Sequence, residues 1–272
     1  ICETTNFFMN YFLSRTGVIN ANYGLEGWRF REKMLPLQSM NIRKIILAIW
    51  AFVLPAMMYG QYTIQCEDTC NHVHGLDMSH YQGEVFWEAI GNNSKMAYVY
   101  LKATEGGTNI DKRYAQNIAL AKQYGLKVGS YHFYRPTRPQ VEQLRNFRYQ
   151  CQAKDQDLIP MVDIETTGGL RREALVDSLH KFLQLMERAY HCKPLIYTYE
   201  SFYNKYLQNE LDGYLLFIAR YSSTPPVLQD GREVFAWQYT GKGHINGVNG
   251  YVDKSRLMGR RSMRELRFPR RR

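Results

Sequence analysis

Pro160-Met161-Val162-Asp163-Ile164-Glu165 is a short apolar run that ends in two carboxylates spaced i, i+2. Read as a strand, this spacing puts both acids on one face and Ile164 on the other. At ~3.3 Å of rise per residue their Cα atoms lie about 6.6 Å apart, close enough to act on the two sides of a single bond. Burying two acids at the end of a Val/Ile strand is costly unless they are paired or put to use. A lone D-x-E also fits a solvated strand end, so the neighbouring runs carry the decision.

Those runs recur along the chain. Gly75–Met78 enters a loop at Asp77-Met78-Ser79-His80-Tyr81-Gln82-Gly83, and Ala97–Leu101 leads into Lys102-Ala103-Thr104-Glu105-Gly106. Lys127–Pro136, Pro194–Tyr199, Leu215–Tyr221, Val234–Thr240 and Gly250–Asp253 bring the total to eight β-like runs, most with polar or aromatic residues at their C-terminal ends. Helical patterns lie between the early runs. Lys112–Tyr124 carries Tyr114, Ile118 and Ala121 on one face and stops at Gly125, a C′ glycine. Gln140–Ala153 and Arg171–His191 are longer, and Leu175, Leu179, Phe182, Leu183 and Met186 form a core-facing stripe. Alternation of strand and helix predicts βαβ units and a mostly parallel sheet. Ser222–Arg232 and Gly241–Asn249 are too short or too rich in Pro and Gly for good helices. The expectation is therefore an α/β fold, an irregular TIM-like barrel whose chemistry sits at the C-terminal ends of its strands.

The motifs Asp77–Gly83, Lys102–Gly106, Tyr131–Pro136, Asp163-x-Glu165, Ala236–Thr240 and Val252-Asp253 occur in an order that closely resembles the glycoside hydrolase family 25 lysozymes, the Chalaropsis-type N-acetylmuramidases. The resemblance spans about residues 74 to 257. It implies a barrel of five β/α units followed by three further strands with few helices. It also implies a peptidoglycan hydrolase that cleaves the β-1,4 bond between N-acetylmuramic acid and N-acetylglucosamine, without metal or organic cofactor. Two other readings stay open: a non-catalytic cell-wall glycan-binding module, and a related chitin-type hydrolase.

By the same resemblance Glu165 is the general acid, and Asp163 orients the substrate's N-acetyl group for attack on C1. Inversion is the competing route, with Asp163 or Asp77 activating a water. Asp77 and Asp253 match two further acids lining the family's pocket, and four acids around one cleft would raise at least one pKa. Tyr131, Tyr197, Trp237 and Gln238 are candidate substrate contacts, since aromatic faces suit sugar rings and polar tips orient them. His132 has no second histidine at metal spacing and reads as a hydrogen-bonded pocket or core residue. Lys102 and Glu105 read as a structural ion pair at the barrel mouth.

Residues 1–39 show no periodicity and read as an N-terminal extension or upstream translation. Met40-Asn41-Ile42-Arg43-Lys44 then leads into an apolar stretch of about ten residues, so 40–60 resembles a secretory signal peptide. An uncleaved signal anchor is the alternative. This predicts secretion or an envelope location. Residues 61–73 read as a linker, 74–258 as the catalytic barrel and 259–272 as a basic tail.

Cys66, Cys70, Cys151 and Cys192 suit an exported chain, and the expected pairs are Cys66–Cys70 and Cys151–Cys192. C-x₃-C has no matching pair nearby, so no zinc site is expected. The chain holds 35 basic and 25 acidic residues; 254–272 holds nine against one, whereas 61–253 is nearly balanced. Basicity thus belongs to the C-terminal tail, which fits attraction to anionic wall polymers or a solvated end. No aromatic motif accompanies the Arg run, so nucleic acid is not the expected partner, and no specific protein partner is predicted.

Overall fold

The computed structural model describes residues 66–269. The readings of 1–39 and 40–60 lie outside those residues. Nine strands occur among the described residues: β1 (His74–Met78), β2 (Met96–Glu105), β3 (Asn109–Ile110), β4 (Lys127–Phe133), β5 (Met161–Asp163), β6 (Leu195–Tyr199), β7 (Leu216–Ala219), β8 (Ala236–Gly243) and β9 (Val252–Leu257). The helices are α1 (Cys66–Thr69), α2 (Trp87–Gly91), α3 (Tyr114–Gln123), α4 (Gln140–Gln150), α5 (Arg172–Tyr190) and α6 (Glu200–Phe202), the last followed by a π turn at Tyr203–Leu207. Each expected long helix is present, and α3 stops before Gly125, whose φ of 88° is the left-handed value a C′ glycine supplies.

Eight strands close into a barrel in the order β1-β9-β8-β7-β6-β5-β4-β2, with β1 pairing to β2, and β3 is a short addition to β2. Neighbours from β1 through β2 and β4 to β8 are parallel, whereas β9 runs antiparallel to both β8 and β1. Five strands are followed by helices and the last three are not, which is the irregular barrel the sequence predicts. The reversal of β9 was not anticipated. Asp253 was read as the end of a strand but stands near the start of one. Because that strand runs backwards, its start reaches the same rim as the C-terminal ends of the others.

Alternation along the strands sorts side chains into two cores. Val162, Ile164, Ile196 and Ile218 point outward and pack with the α5 stripe of Leu175, Leu179, Phe182, Leu183 and Met186. Tyr98, Tyr100, Met161, Leu195, Tyr197 and Phe217 fill the inside of the barrel. Two glycines make that filling fit: a Cβ at Gly75 would overlap the Tyr98 ring, and one at Gly129 would overlap Tyr100. The hydroxyls are satisfied, Tyr98 against Ser255 Oγ at 2.9 Å and Tyr100 donating to the Ile159 carbonyl at 3.1 Å.

Both expected flanks are partly structure. Residues 66–73, read as linker, include α1, which sends Glu67 onto the buried Lys254 ammonium of β9 and accepts from Tyr239 at 3.0 Å. The segment after 258 folds back under the barrel. Leu266 joins the inner core, its carbonyl accepts from Ile159 N at 2.7 Å, and Phe268 N donates to Asp157 O at 2.9 Å. Its alternating Leu266 and Phe268 are what a solvated tail would lack.

The expected disulfides are absent: all four described cysteines are free. The Cys151 thiol turns into the core toward Tyr114 and Ser130, and Cys70 Sγ lies 3.2 Å from His74 Nε2. Burial pushes Cys66 and Cys192 up to about 11 and Cys151 up to about 12, so they stay protonated. No helix among the described residues is long and apolar enough to cross a membrane.

Candidate active site

The rim defined by the ends of β1, β2 and β4–β8 and by the start of β9 surrounds a cleft of about 210 Å³. Met161, Asp163 and Glu165 project into it from one face of β5 and its extension, while Val162 and Ile164 face the outer core. The hydrogen-bonded strand stops at Asp163, but Ile164 N still donates to Tyr197 O at 3.0 Å, which holds Glu165 in strand-like register. The i, i+2 spacing therefore does what it promises.

Asp77 enters from β1 and Asp253 from β9, and the two are direct cross-strand partners. Like charges placed opposite one another destabilise a sheet unless one is neutralised. Burial and then the neighbouring Asp253 hold the Asp77 carboxyl well above the usual carboxylate range, opposed by a hydrogen bond from Gln238 Nε2 at 3.1 Å. Burial pushes Asp253 up to about 6. Across the cleft, burial and then Glu165 raise Asp163 well above its ordinary value. Burial and then Asp253 push Glu165 up to about 6, against the opposing pull of Lys102 and Arg135. Asp163 and Glu165 titrate as a pair, and a shared proton belongs to both. One oxygen each of Asp77 and Asp163 (Oδ1 in both) is buried without a hydrogen-bond partner, so each is an acceptor free for a ligand's N–H or O–H.

Gln238 is the hub of the opposite wall. Its Oε1 accepts from both Tyr197 and Tyr221 hydroxyls at 2.8 Å, which fixes the amide so that its nitrogen faces Asp77. Tyr131 and Tyr197 line the cleft with it. Trp237 does not. It sits one residue out of phase with Gln238 on β8, its Nε1 donates to Arg220 O at 2.8 Å, and the Arg256 guanidinium lies 4.9 Å from its ring centre. Alternation along β8 turns Gln238 into the cleft and Trp237 away from it.

Lys102 lines the cleft while its Nζ donates to Glu105 at 2.7 Å, and Glu105 also accepts from Arg135 Nε at 3.0 Å. Both cations lie over the Phe133 ring, Lys102 at 4.9 Å and Arg135 at 4.5 Å from its centre. The expected ion pair is thus present, and Lys102 also faces the acids. His132 is fully buried. Its Nε2 donates to Gln143 Oε1 at 3.0 Å and its Nδ1 accepts from Thr104 Oγ1 at 2.7 Å, while burial lowers its pKa to about 4 and keeps it neutral. Among the described residues no group of three His, Cys, Asp or Glu side chains is arranged to hold a metal ion.

Tyr81, Phe133, Tyr199 and Tyr221 also line the cleft and were not singled out from sequence. The signal was there for Tyr199 and Tyr221, which stand two residues beyond the inward-facing Tyr197 and Ala219.

Paired carboxylates of raised pKa in an aromatic-walled cleft at a barrel rim form a site suited to acid-assisted cleavage of glycosidic bonds. The chain belongs to glycosyl hydrolases family 25, whose sequence model matches residues 76–248; it is a glycoside hydrolase. Escherichia coli K12 YegX is 29% identical over 185 residues, covering 66% of this chain and 68% of its own length. The autolytic lysozyme of Clostridium acetobutylicum is 31% identical over 180 residues, 66% of this chain and 54% of that protein. The crystal structure of the bacterial lysozyme from Streptomyces coelicolor superposes with a TM-score of 0.66 at 26% identity, covering 72% of this chain and 95% of that one.

Proposed function

We propose that this enzyme is a lysozyme that hydrolyses the β-1,4 bond between N-acetylmuramic acid and N-acetylglucosamine in peptidoglycan. Family membership and the lysozymes among its relatives support peptidoglycan as the polymer. The observation that carries the assignment of roles is the D-x-E pair: two inward-facing carboxylates on one strand, both with raised pKa.

In this mechanism Glu165 protonates the leaving glycosidic oxygen as the C1–O bond breaks. The carbonyl oxygen of the substrate's own 2-acetamido group attacks C1 from the other face. Asp163 accepts the acetamido N–H, and its partnerless Oδ1 is suited to that bond. Accepting an N–H favours the ionised form of Asp163, which leaves the pair's proton on Glu165 where the leaving group needs it. The Glu165 carboxylate then takes a proton from water as that water opens the cyclic intermediate, restoring the acid.

Reducing-end release from purified peptidoglycan, with the product sugars identified, tests the reading on the full chain and on Glu165→Gln. Muramic acid reducing ends from the parent, with at least about a hundredfold loss in Glu165→Gln, are the expected result. Glucosamine reducing ends would assign the wrong bond, and release from chitin alone would assign the wrong polymer.

The Arg-rich C-terminal segment supports a second contact, with anionic wall polymers. Co-sedimentation with intact walls should weaken for Arg264→Gln/Arg267→Gln at low salt and not at high salt. An export signal at 40–60 agrees with a substrate outside the cytoplasm; N-terminal sequencing of the natural product, finding residues before Met40, would count against it.

A further inference from the structure

Tyr81 lines the cleft yet is 80% exposed. A single exposed ring carries little meaning by itself, but the turn that carries this one is fixed, and one neighbouring ring supports it. Its turn, the 3₁₀ segment His80–Gln82, is closed reciprocally: Ser79 Oγ accepts from Tyr81 N at 3.3 Å, and Gln82 Oε1 accepts from Ser79 N at 2.8 Å. His80 is pinned twice to one oxygen of the buried Asp111, through its backbone N at 2.8 Å and its Nδ1 at 2.7 Å. The imidazole so fixed lies 4.2 Å from the Tyr81 ring, centre to centre, at 34°. One face of Tyr81 therefore rests on a rigid support and the rest of the ring is open to solvent, four residues beyond Asp77 in the cleft floor.

We infer that Tyr81 is a stacking platform for a pyranose ring of the glycan, at the rim and away from the bond that is cut. The inference rests on the proposed peptidoglycan reading for its natural ligand. A β-linked sugar ring presents a face of C–H bonds, which matches the electron-rich face of an aromatic ring. Tyr81 lines the same cleft as Asp163 and Glu165 and is its most exposed aromatic ring, which suits a contact with polymer extending out of the cleft. Because the platform is already ordered, binding loses little side-chain freedom. A contact remote from the reacting atoms holds ground and transition states alike, and so acts on KM rather than kcat.

The test uses the full chain in a Glu165→Gln background, with co-sedimentation on insoluble peptidoglycan and on chitin, a β-1,4 polymer of N-acetylglucosamine. Tyr81→Ala should weaken binding to both about three- to tenfold, and Tyr81→Phe should restore it. With Glu165 intact, Tyr81→Ala should raise KM on peptidoglycan by a similar factor while kcat holds. Unchanged affinity of Tyr81→Ala for both polymers overturns the platform, as does a fall in kcat with KM unmoved. A parent that cleaves no peptidoglycan but loses affinity for both polymers on Tyr81→Ala would sink the lysozyme reading and leave the platform standing.

Discussion

Asp253 and Lys102 pull Glu165 in opposite directions, and this makes the acid's protonation testable one residue at a time. In its proposed role as general acid Glu165 works only while protonated, so kcat should fall as pH rises through about 6, the value to which burial and Asp253 push it. Asp253→Asn removes a negative neighbour, so the alkaline limb of the kcat profile should move to lower pH. Lys102→Met removes a positive one and should move that limb to higher pH. Shifts of the same sign in both variants would show that the limb does not belong to Glu165. At this scale the sequence was most legible where a strand's period decides the matter. Asp163 and Glu165 share a face because their spacing is two. Trp237 was misplaced because its neighbour Gln238 already held the inward position. Gln238 lines the cleft as expected, and its orientation is set by two tyrosines and Asp77, partners from distant segments that no local pattern brings together.

Among the elements, α1 is the least expected and the most consequential. It is four residues long, far below what an isolated helix needs, so it persists through what it touches. Glu67 and Lys254 form an ion pair with side chains only 6% and 1% exposed. Glu67→Ala removes the carboxylate from a buried ammonium and should cost about 3–5 kcal/mol, read as a lower urea midpoint at constant slope. An unchanged midpoint would mean that α1 is dispensable to the barrel. Gly129→Ala should cost about 1–3 kcal/mol by the same measurement, because the added methyl meets the Tyr100 ring inside a filled barrel. The long helices were legible because their apolar stripes repeat with the helical period. α1 was not: Cys66–Thr69 is too short to show a period, and its stability comes from residues nearly two hundred positions away.

The whole molecule carries a charge problem at the rim. Asp77, Asp163, Glu165 and Asp253 all have raised pKa values, so these four carboxyls bind more protons in the folded chain than in the unfolded one above the ordinary carboxylate range. Their share of the stability therefore falls as pH rises from about 4 through 6 and beyond, while His74 and His132, both lowered from 6.5 to about 4, act in the opposite sense over that range. Asp253, moved from 3.8 to about 6, contributes about 3 kcal/mol of that loss. Asp253→Asn should raise Tm at pH 8 and leave it nearly unchanged at pH 4; equal gains at both would rule out the electrostatic cause. Deleting residues 259–272 should also lower Tm, because Leu266 and Phe268 would no longer cover Ile159 and Tyr190. Arginine substitutions are thus the cleaner probe of the segment's charge.

The sequence by itself determined the alternation of strand and helix, the D-x-E geometry and the family, because each depends on spacing within a few residues or on motif order along the chain. Only the tertiary structure decided that β9 runs backwards and sets Asp253 against Asp77, that Gln238 is held by its neighbours, that residues 66–73 and 259–269 fold onto the barrel, and that the four described cysteines stay free. Those depend on which distant segments meet when the barrel closes, and closure is driven by burial summed over the whole chain rather than by any local pattern.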